Sequence, residues 1–312
     1  MKFAFVFPGQ GSQSLNMMAA YGDHPVIQST FDEASQVLGR DLWKLVGEGP
    51  VEAINQTVNT QPLMLTADIA VWRLWKALGG AQPAMMAGHS LGEYAALVAA
   101  EAMQFSDAVP LVALRAEAMQ ASVPEGTGAM AAILGLDAAI VQAVCREVEQ
   151  AGQVVEAVNF NSPEQTVIAG HKAAVEQAAD ACKAKGAKRA ILLPVSAPSH
   201  CRLMRPAAEK LAGFLAKLPV TAPQIPVVNN VDVACAESAE DIRAALVRQV
   251  AAPVRWVETQ RALQQAGVTH VFECGPGKVL AGLVKRCAET LVGGSMNDAA
   301  SLNAAYNMVK GS

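Results

Sequence analysis

Residues 85–97 read MMAGHSLGEYAAL, and within them Gly88-His89-Ser90-Leu91-Gly92 narrows the fold more than any other stretch of the chain. A short apolar run precedes the serine and a string of helix formers follows it. Glycines two residues to either side of a serine allow a sharp strand-to-helix turn. Such a turn pushes the hydroxyl out at the end of a strand and places the first N–H groups of the helix beside it. That geometry belongs to α/β chains with parallel strands. A structural turn could use the same five residues, but the strand-then-helix context favours a nucleophile. A serine hydroxyl at its ordinary pKa attacks slowly, so a nucleophilic Ser90 requires a base nearby in space.

The chain offers five histidines, at 24, 89, 171, 200 and 270. His89 adjoins Ser90, and on a tight turn its side chain is expected to project away from the hydroxyl. His24 and His171 stand in polar, loop-like settings and are read as solvated. His270 opens an inferred strand and is read as packed. His200 lies in VSAPSHC, a proline-interrupted loop between a strand and a helix, where catalytic side chains often sit. It is the preferred base, with His89 the alternative.

Arg115 shares a helical face with Leu111, Val112, Ala118 and Met119, while Glu117 points elsewhere. A guanidinium on an apolar face needs an anion to offset its desolvation. A distant acid or a snorkelling side chain would meet that need. With an elbow serine one helix earlier, a substrate carboxylate in a bidentate pair becomes the sharper reading. Gln10, in FPGQGSQ, follows the first inferred strand at the end where ligands approach open sheets, and its loop is a source of a second oxyanion donor. Neither that loop nor GPGKV at 275–279 completes a phosphate-binding motif.

The 312 residues suit one large domain with an insert, or two modest domains. Hydrophobic residues make up 52% of the chain, enough for a sizeable core, and a net charge of −4 does not suggest a nucleic-acid footprint, which would need a basic face. Six cysteines without a C-x-x-C pair fit free thiols in a reducing compartment, not a disulfide framework or a zinc cage, and no metal is expected. Phe3–Phe7 is too short for a signal-peptide core and reads as a buried strand. No apolar stretch reaches the roughly 20 residues that span a bilayer, so a soluble, cytoplasmic protein with no membrane partner is expected.

Helical spacing recurs over Gln28–Leu45 and Thr57–Leu78, Ala95–Met103 is alanine- and leucine-rich and is expected to be helical, and Ser106 with Asp107 suggests the start of the helix that carries Arg115. From VPEGTG onward the order is strand (Gly128–Leu134), helix (Asp137–Gln150), strand (Val154–Phe160), strand (Gln165–Ala169), helix (Ala173–Lys185), strand (Arg189–Leu193). This β-α-β-β-α-β order is the ferredoxin-like signature. Larger α/β elements then return, with a helix over Arg205–Leu218 and strands near Ile225–Asn229 and His270–Glu273. The expected organisation is a large α/β subdomain over 1–123 and 196–312, interrupted by a small one over 124–195. GGSMNDAAS reads as a flexible tail.

Taken together, FVFPGQGSQ at 5–13, GHSLGEYAAL at 88–97, Arg115 in LRAEAMQ, NFNSPEQTVIAG at 159–170, PSH at 198–200, NNVD at 229–232, Gln249 before PVRW and ECGPGKVLAGL at 273–283 resemble the malonyl-CoA:acyl carrier protein transacylase family, which includes the acyltransferase domains of fatty-acid and polyketide synthases. The resemblance covers nearly the whole chain. It implies an α/β-hydrolase-like large subdomain with a parallel sheet and an inserted ferredoxin-like small one. It also implies Ser90 as the acylated nucleophile, His200 as its base, and Arg115 as the holder of the malonyl carboxylate. Gln10 and the Leu91 N–H match the oxyanion hole, and Gln249 the residue whose backbone carbonyl orients the histidine. His89 and Asn161 fall near the site without a firm role. The implied reaction moves malonyl from malonyl-CoA to the phosphopantetheine thiol of holo acyl carrier protein through a serine ester. Coenzyme A and the carrier are then substrates, and no cofactor is implied. Ser199, beside the base, is compatible with malonyl as the acyl group. A monomer is the default expectation. The rival expectations are a hydrolase with the same elbow and base, and a non-catalytic carrier-docking subunit that kept the fold.

Overall fold

The computed structural model describes residues 1–149, 152–195 and 197–311. Gln150, the expected end of one helix, and residues 196 and 312, which bound the expected large subdomain, lie outside the described residues. Five strands form a parallel sheet: β1 (Phe3–Phe7), β2 (Met85–Gly88), β7 (Val227–Val228), β8 (His270–Glu273) and β9 (Val292–Ser295), in the order β7-β2-β1-β8-β9. The central β1 is apolar at every position because both faces of the sheet are covered. Phe3, Phe5 and Phe7 enter one core with Leu63, Trp72 and Trp75, while Ala4 and Val6 enter another with Val254, Trp256 and Leu280. Edge-to-face contacts of Phe5 with Trp72 (5.8 Å) and Trp75 (5.1 Å) fix the first of these cores around the helix Thr57–Ala77.

Register decides where the chemistry-bearing loops meet. Phe7 pairs with Gly88 and Val6 with Glu273, so the loops after β1, β2 and β8 leave the sheet side by side at its carboxyl edge.

The small subdomain is an antiparallel sheet of β3 (Gly128–Leu134), β4 (Val155–Ser162), β5 (Gln165–His171) and β6 (Arg189–Leu192), in the order β4-β5-β3-β6. Helices Ala138–Val148 and Lys172–Ala184 bury Val141, Val144, Val175 and Ala178 against it. This is the ferredoxin-like arrangement implied by the element order. Backbone bonds Phe160 N–H to Val254 O (3.0 Å) and Val254 N–H to Val158 O (2.8 Å) stitch β4 to the large subdomain. Arg202, two residues past His200, pairs with Glu149 and Glu156 of the small one, each at 2.5 Å. Among the described residues, no helix is long and apolar enough to cross a membrane.

The structure corrects several expected elements. The helical spacing over Gln28–Leu45 is two helices, Pro25–Leu38 and Leu42–Glu48, because Gly39 turns left-handed (φ 66°) and Asp41 caps the second by accepting from Lys44 N–H. The helix after Ser90 runs over Gly92–Ala99, earlier than Ala95–Met103, since Gly92 can enter the helix directly from the turn. The next helix begins at Phe105 with Gln104 as its N-cap, so Ser106 is inside it. The strand near Ile225–Asn229 shrinks to Val227–Val228, and the helix from Arg205 stops at Leu215. The expected flexible tail is ordered. Gly293 and Gly294 belong to β9, where a Cβ would press on Ala281 O and on the Phe272 ring, each at 2.7 Å. Asp298 and Ser301 then form a capping box that starts the helix Ala299–Lys310. His171, expected to be solvated, is half-buried, its Nδ1 accepting from Val154 N–H at 2.9 Å.

Candidate active site

Ser90 has φ 53°, a left-handed conformation that a serine adopts only when its surroundings impose it. The flanking glycines explain how this is possible. A Cβ at Gly88 would fall on the Gly92 carbonyl group, and one at Gly92 would fall on Phe7 O. Gly9 closes the turn from the β1 side, where a Cβ would stand 2.5 Å from His89 O. Asn230 completes the support, accepting from Ser90 N–H at 2.7 Å and donating to Gly88 O at 2.7 Å.

His200 comes to this serine from the loop between the two subdomains. Its Nε2 lies 2.6 Å from Ser90 Oγ, and its Nδ1 lies 2.8 Å from Gln249 O. A carbonyl oxygen only accepts, so it assigns the proton to Nδ1 and leaves Nε2 as the acceptor for the serine hydroxyl. His200 also has a positive φ, 66°, and its N–H donates to Val250 O at 3.2 Å. Burial, with the nearby Arg115 charge, pushes His200 down to about 3, partly offset by the bond to Gln249 O. The imidazole is therefore neutral at physiological pH.

Arg115 is 2% exposed. Its Nη1 donates to Gln61 Oε1 (2.7 Å), and Nη2 donates to Gln249 Oε1 (3.1 Å) and Ser90 Oγ (3.2 Å). The guanidinium also lies over the Tyr94 ring, 5.4 Å from its centroid. Among the described residues it forms no ion pair with a carboxylate. Burial presses its pKa down, while Tyr94 and Glu93 hold it up. The sequence placed an arginine on an apolar face. The structure adds that its partners are two neutral amides and the serine itself.

A cavity of about 810 Å³ opens over these groups, within the usual range for small-molecule sites. Gln10, Ser90, Leu91, Arg115 and His200 line its floor, and Leu192–Val195 of the small subdomain line a wall. Among the described residues, the N–H groups of Gln10 and Leu91 bond to no acceptor, so both are available to an oxyanion. The Gln10 side chain is engaged elsewhere, its Oε1 accepting from Thr57 Oγ1 at 2.9 Å.

All the expected site residues gather here except Asn161, which stands one contact away. Its Oδ1 meets His89 Nε2 at 2.7 Å, and the His89 ring packs edge-on against Trp256. His89 thus points away from the serine, as a tight turn requires. Burial pushes its pKa down. His24 and His270 lie elsewhere, the latter stacked on Phe272. Sequence reasoning missed Gln61, Glu93 and Asn230. Glu93 is buried, and its Oε2 accepts from Gln249 Nε2 and from Asn230 N–H, both at 2.9 Å. Burial raises it to about 7, against the opposing bonds from Gln249 and Asn230 and the charge of Arg115. Glu93 and Asn230 stand inside two of the motifs, GHSLGEYAAL and NNVD, but their long-range partners, like those of Gln61, left no local mark.

The acyl transferase domain family matches residues 4–304. The malonyl CoA-acyl carrier protein transacylase of Salmonella typhimurium is 57% identical over 305 residues, covering 97% of this chain and 98% of that one. The enzyme of that name from Bacillus subtilis is 44% identical over 99% of this chain and 98% of its own. Among solved structures, the acyl-carrier-protein S-malonyltransferase of Burkholderia pseudomallei superposes with a TM-score of 0.96 at 59% identity, covering 98% of this chain and 100% of that one. A malonyl-transacylase in complex with its holo type II polyketide acyl-carrier protein gives 0.97 at 56% identity, covering 99% and 100%. With an elbow serine, a paired histidine and matches of this extent, the chain belongs to the acyl transferase family, in the branch of the malonyl CoA-acyl carrier protein transacylases.

Proposed function

We propose that this protein transfers the malonyl group of malonyl-CoA to the phosphopantetheine thiol of holo acyl carrier protein, supplying fatty-acid synthesis, with Ser90 carrying the group as an ester. The observation that carries the reading is the Arg115 fork, 3.2 Å from Ser90 Oγ and without a carboxylate partner among the described residues. An acyl group on Oγ with a carboxylate at its far end supplies the missing anion. An acetyl group would leave the guanidinium as it is.

In the first half-reaction, His200 Nε2 takes the Ser90 proton as Oγ bonds to the thioester carbon. The N–H groups of Gln10 and Leu91 hold the oxyanion. The carbon–sulfur bond then breaks, and coenzyme A leaves as a thiol with the proton from His200. In the second half-reaction, the carrier's thiol gives its proton to His200 and its sulfur attacks the ester carbon. The carbon–oxygen bond breaks, and Ser90 regains its hydroxyl proton from His200. Throughout, Gln249 O holds the Nδ1 proton in the role a carboxylate takes in other serine enzymes.

The pH dependence follows from the burial of His200. A free histidine is half-protonated near pH 6.5, whereas His200 stays neutral down to about 3. The rate of Ser90 acylation is expected to stay flat from about pH 8 to about pH 5, read as coenzyme A release in rapid mixing. An acid limb centred near pH 6.5 would contradict the assignment. Folding stability behaves otherwise, because below about pH 6.5 the unfolded chain binds a proton that the folded one refuses.

The hydrolase reading is tested by the products. Incubation with malonyl-CoA and holo carrier is expected to give malonyl-carrier in near-stoichiometric yield. Free malonate as the main product would favour the hydrolase, and no turnover at all would favour a docking subunit.

A further inference from the structure

Glu93 lies under the elbow and touches neither Ser90 Oγ nor Arg115 through any hydrogen bond, yet two routes to the site converge on a single atom of it. Glu93 Oε2 accepts from Gln249 Nε2 and from Asn230 N–H, both at 2.9 Å. The Gln249 carboxamide has a second donor contact, Nε2 to Ser90 O at 2.9 Å, and presents its other end, Oε1, to Arg115 Nη2 at 3.1 Å. A carboxamide has one donor end and one acceptor end, so the acceptors that hold the donor end, Glu93 Oε2 together with Ser90 O, decide what Arg115 meets. If the amide turned over, its N–H₂ would face the guanidinium, donor against donor, at a residue that is fully buried.

We propose that Glu93 is a positioning residue for malonyl selectivity: its Oε2 locks the Gln249 carboxamide in the orientation that offers an acceptor to Arg115, and so keeps the guanidinium aimed at Ser90. The proposal rests on the malonyl-transfer reading above. What matters is an acceptor oxygen at the Oε2 position, not a negative charge. A glutamine at 93 supplies that oxygen with its carbonyl, which can take both donors. An aspartate keeps the charge, but its shorter side chain withdraws the oxygen from the Gln249 amide.

The test compares Glu93→Gln with Glu93→Asp, reading the ratio of kcat/KM for malonyl-CoA to that for acetyl-CoA in Ser90 acylation. Glu93→Gln is expected to keep the ratio within about threefold of wild type, and Glu93→Asp to lower it by about tenfold or more, the scale of one lost hydrogen bond to a charged group. In a Gln249→Met background, which retains the main-chain carbonyl and lacks the amide, Glu93→Asp is expected to leave the ratio where Gln249→Met alone put it. A Glu93→Asp ratio equal to wild type would overturn the proposal. So would equal losses for both acyl groups in both variants, the pattern of a merely structural residue. Failure of the wild-type protein to prefer malonyl-CoA would instead overturn the transfer reading on which the proposal rests.

Discussion

Ser90→Ala is expected to remove malonyl transfer by about five orders of magnitude, the scale on which serine enzymes lose activity when the nucleophile is deleted. The substitution is sterically mild. Ser90 Oγ is held by His200 and Arg115 and supports no backbone bond, while the turn itself is held through Ser90 N–H and Ser90 O. The melting temperature should therefore stay near that of wild type while coenzyme A release falls to background. Because the serine and histidine act as one unit, His200→Ala should cost a similar factor, and the double variant little more. A Ser90→Ala protein retaining transfer within about a hundredfold of wild type would show that the acyl group is carried elsewhere.

The second large effect is expected at Arg115. Arg115→Ala should lower kcat/KM for malonyl-CoA by about two to four orders of magnitude, since a buried carboxylate deprived of its partner loses about 3–5 kcal/mol. Acetyl-CoA brings no carboxylate, so the malonyl-to-acetyl ratio should collapse. Arg115→Lys should recover little of it. A lysine ammonium is a point charge, and the site holds a planar fork between Gln61 Oε1 and Gln249 Oε1. Both acyl-CoA substrates can be followed by coenzyme A release under single-turnover conditions. An equal loss for the two would make Arg115 a structural cation.

Much of this site was legible along the chain because its strongest constraints are local. The two glycines around Ser90 have no room for a side chain, so the elbow had to be written as it is. The β-α-β-β-α-β order survived because each element of the small subdomain carries its own period and most of its core comes from within the subdomain. Arg115 stood out because a charge on an apolar helix face is an anomaly wherever it occurs. What could not be read was pairing at a distance. Nothing near Gln249 says that its carbonyl would meet a histidine 49 positions away, and the motif resemblance alone suggested it. Glu93 and Asn230, 137 residues apart, become partners only when β2 and β7 align side by side. The tail was misread for a related reason. GGSMNDAAS looks pliant in isolation, yet the glycines are where β9 passes close to Phe272 and Val284.

The most direct test of the account is the intact mass of the protein after brief mixing with malonyl-CoA, beside Ser90→Ala and an acetyl-CoA control. The account predicts a single malonyl adduct on wild type, none on Ser90→Ala, and little acetyl adduct on either. Adding holo acyl carrier protein should then discharge the adduct, with the malonyl mass appearing on the carrier. A malonyl adduct that persists on Ser90→Ala, or one that decays to free malonate while the carrier stays unloaded, would contradict it.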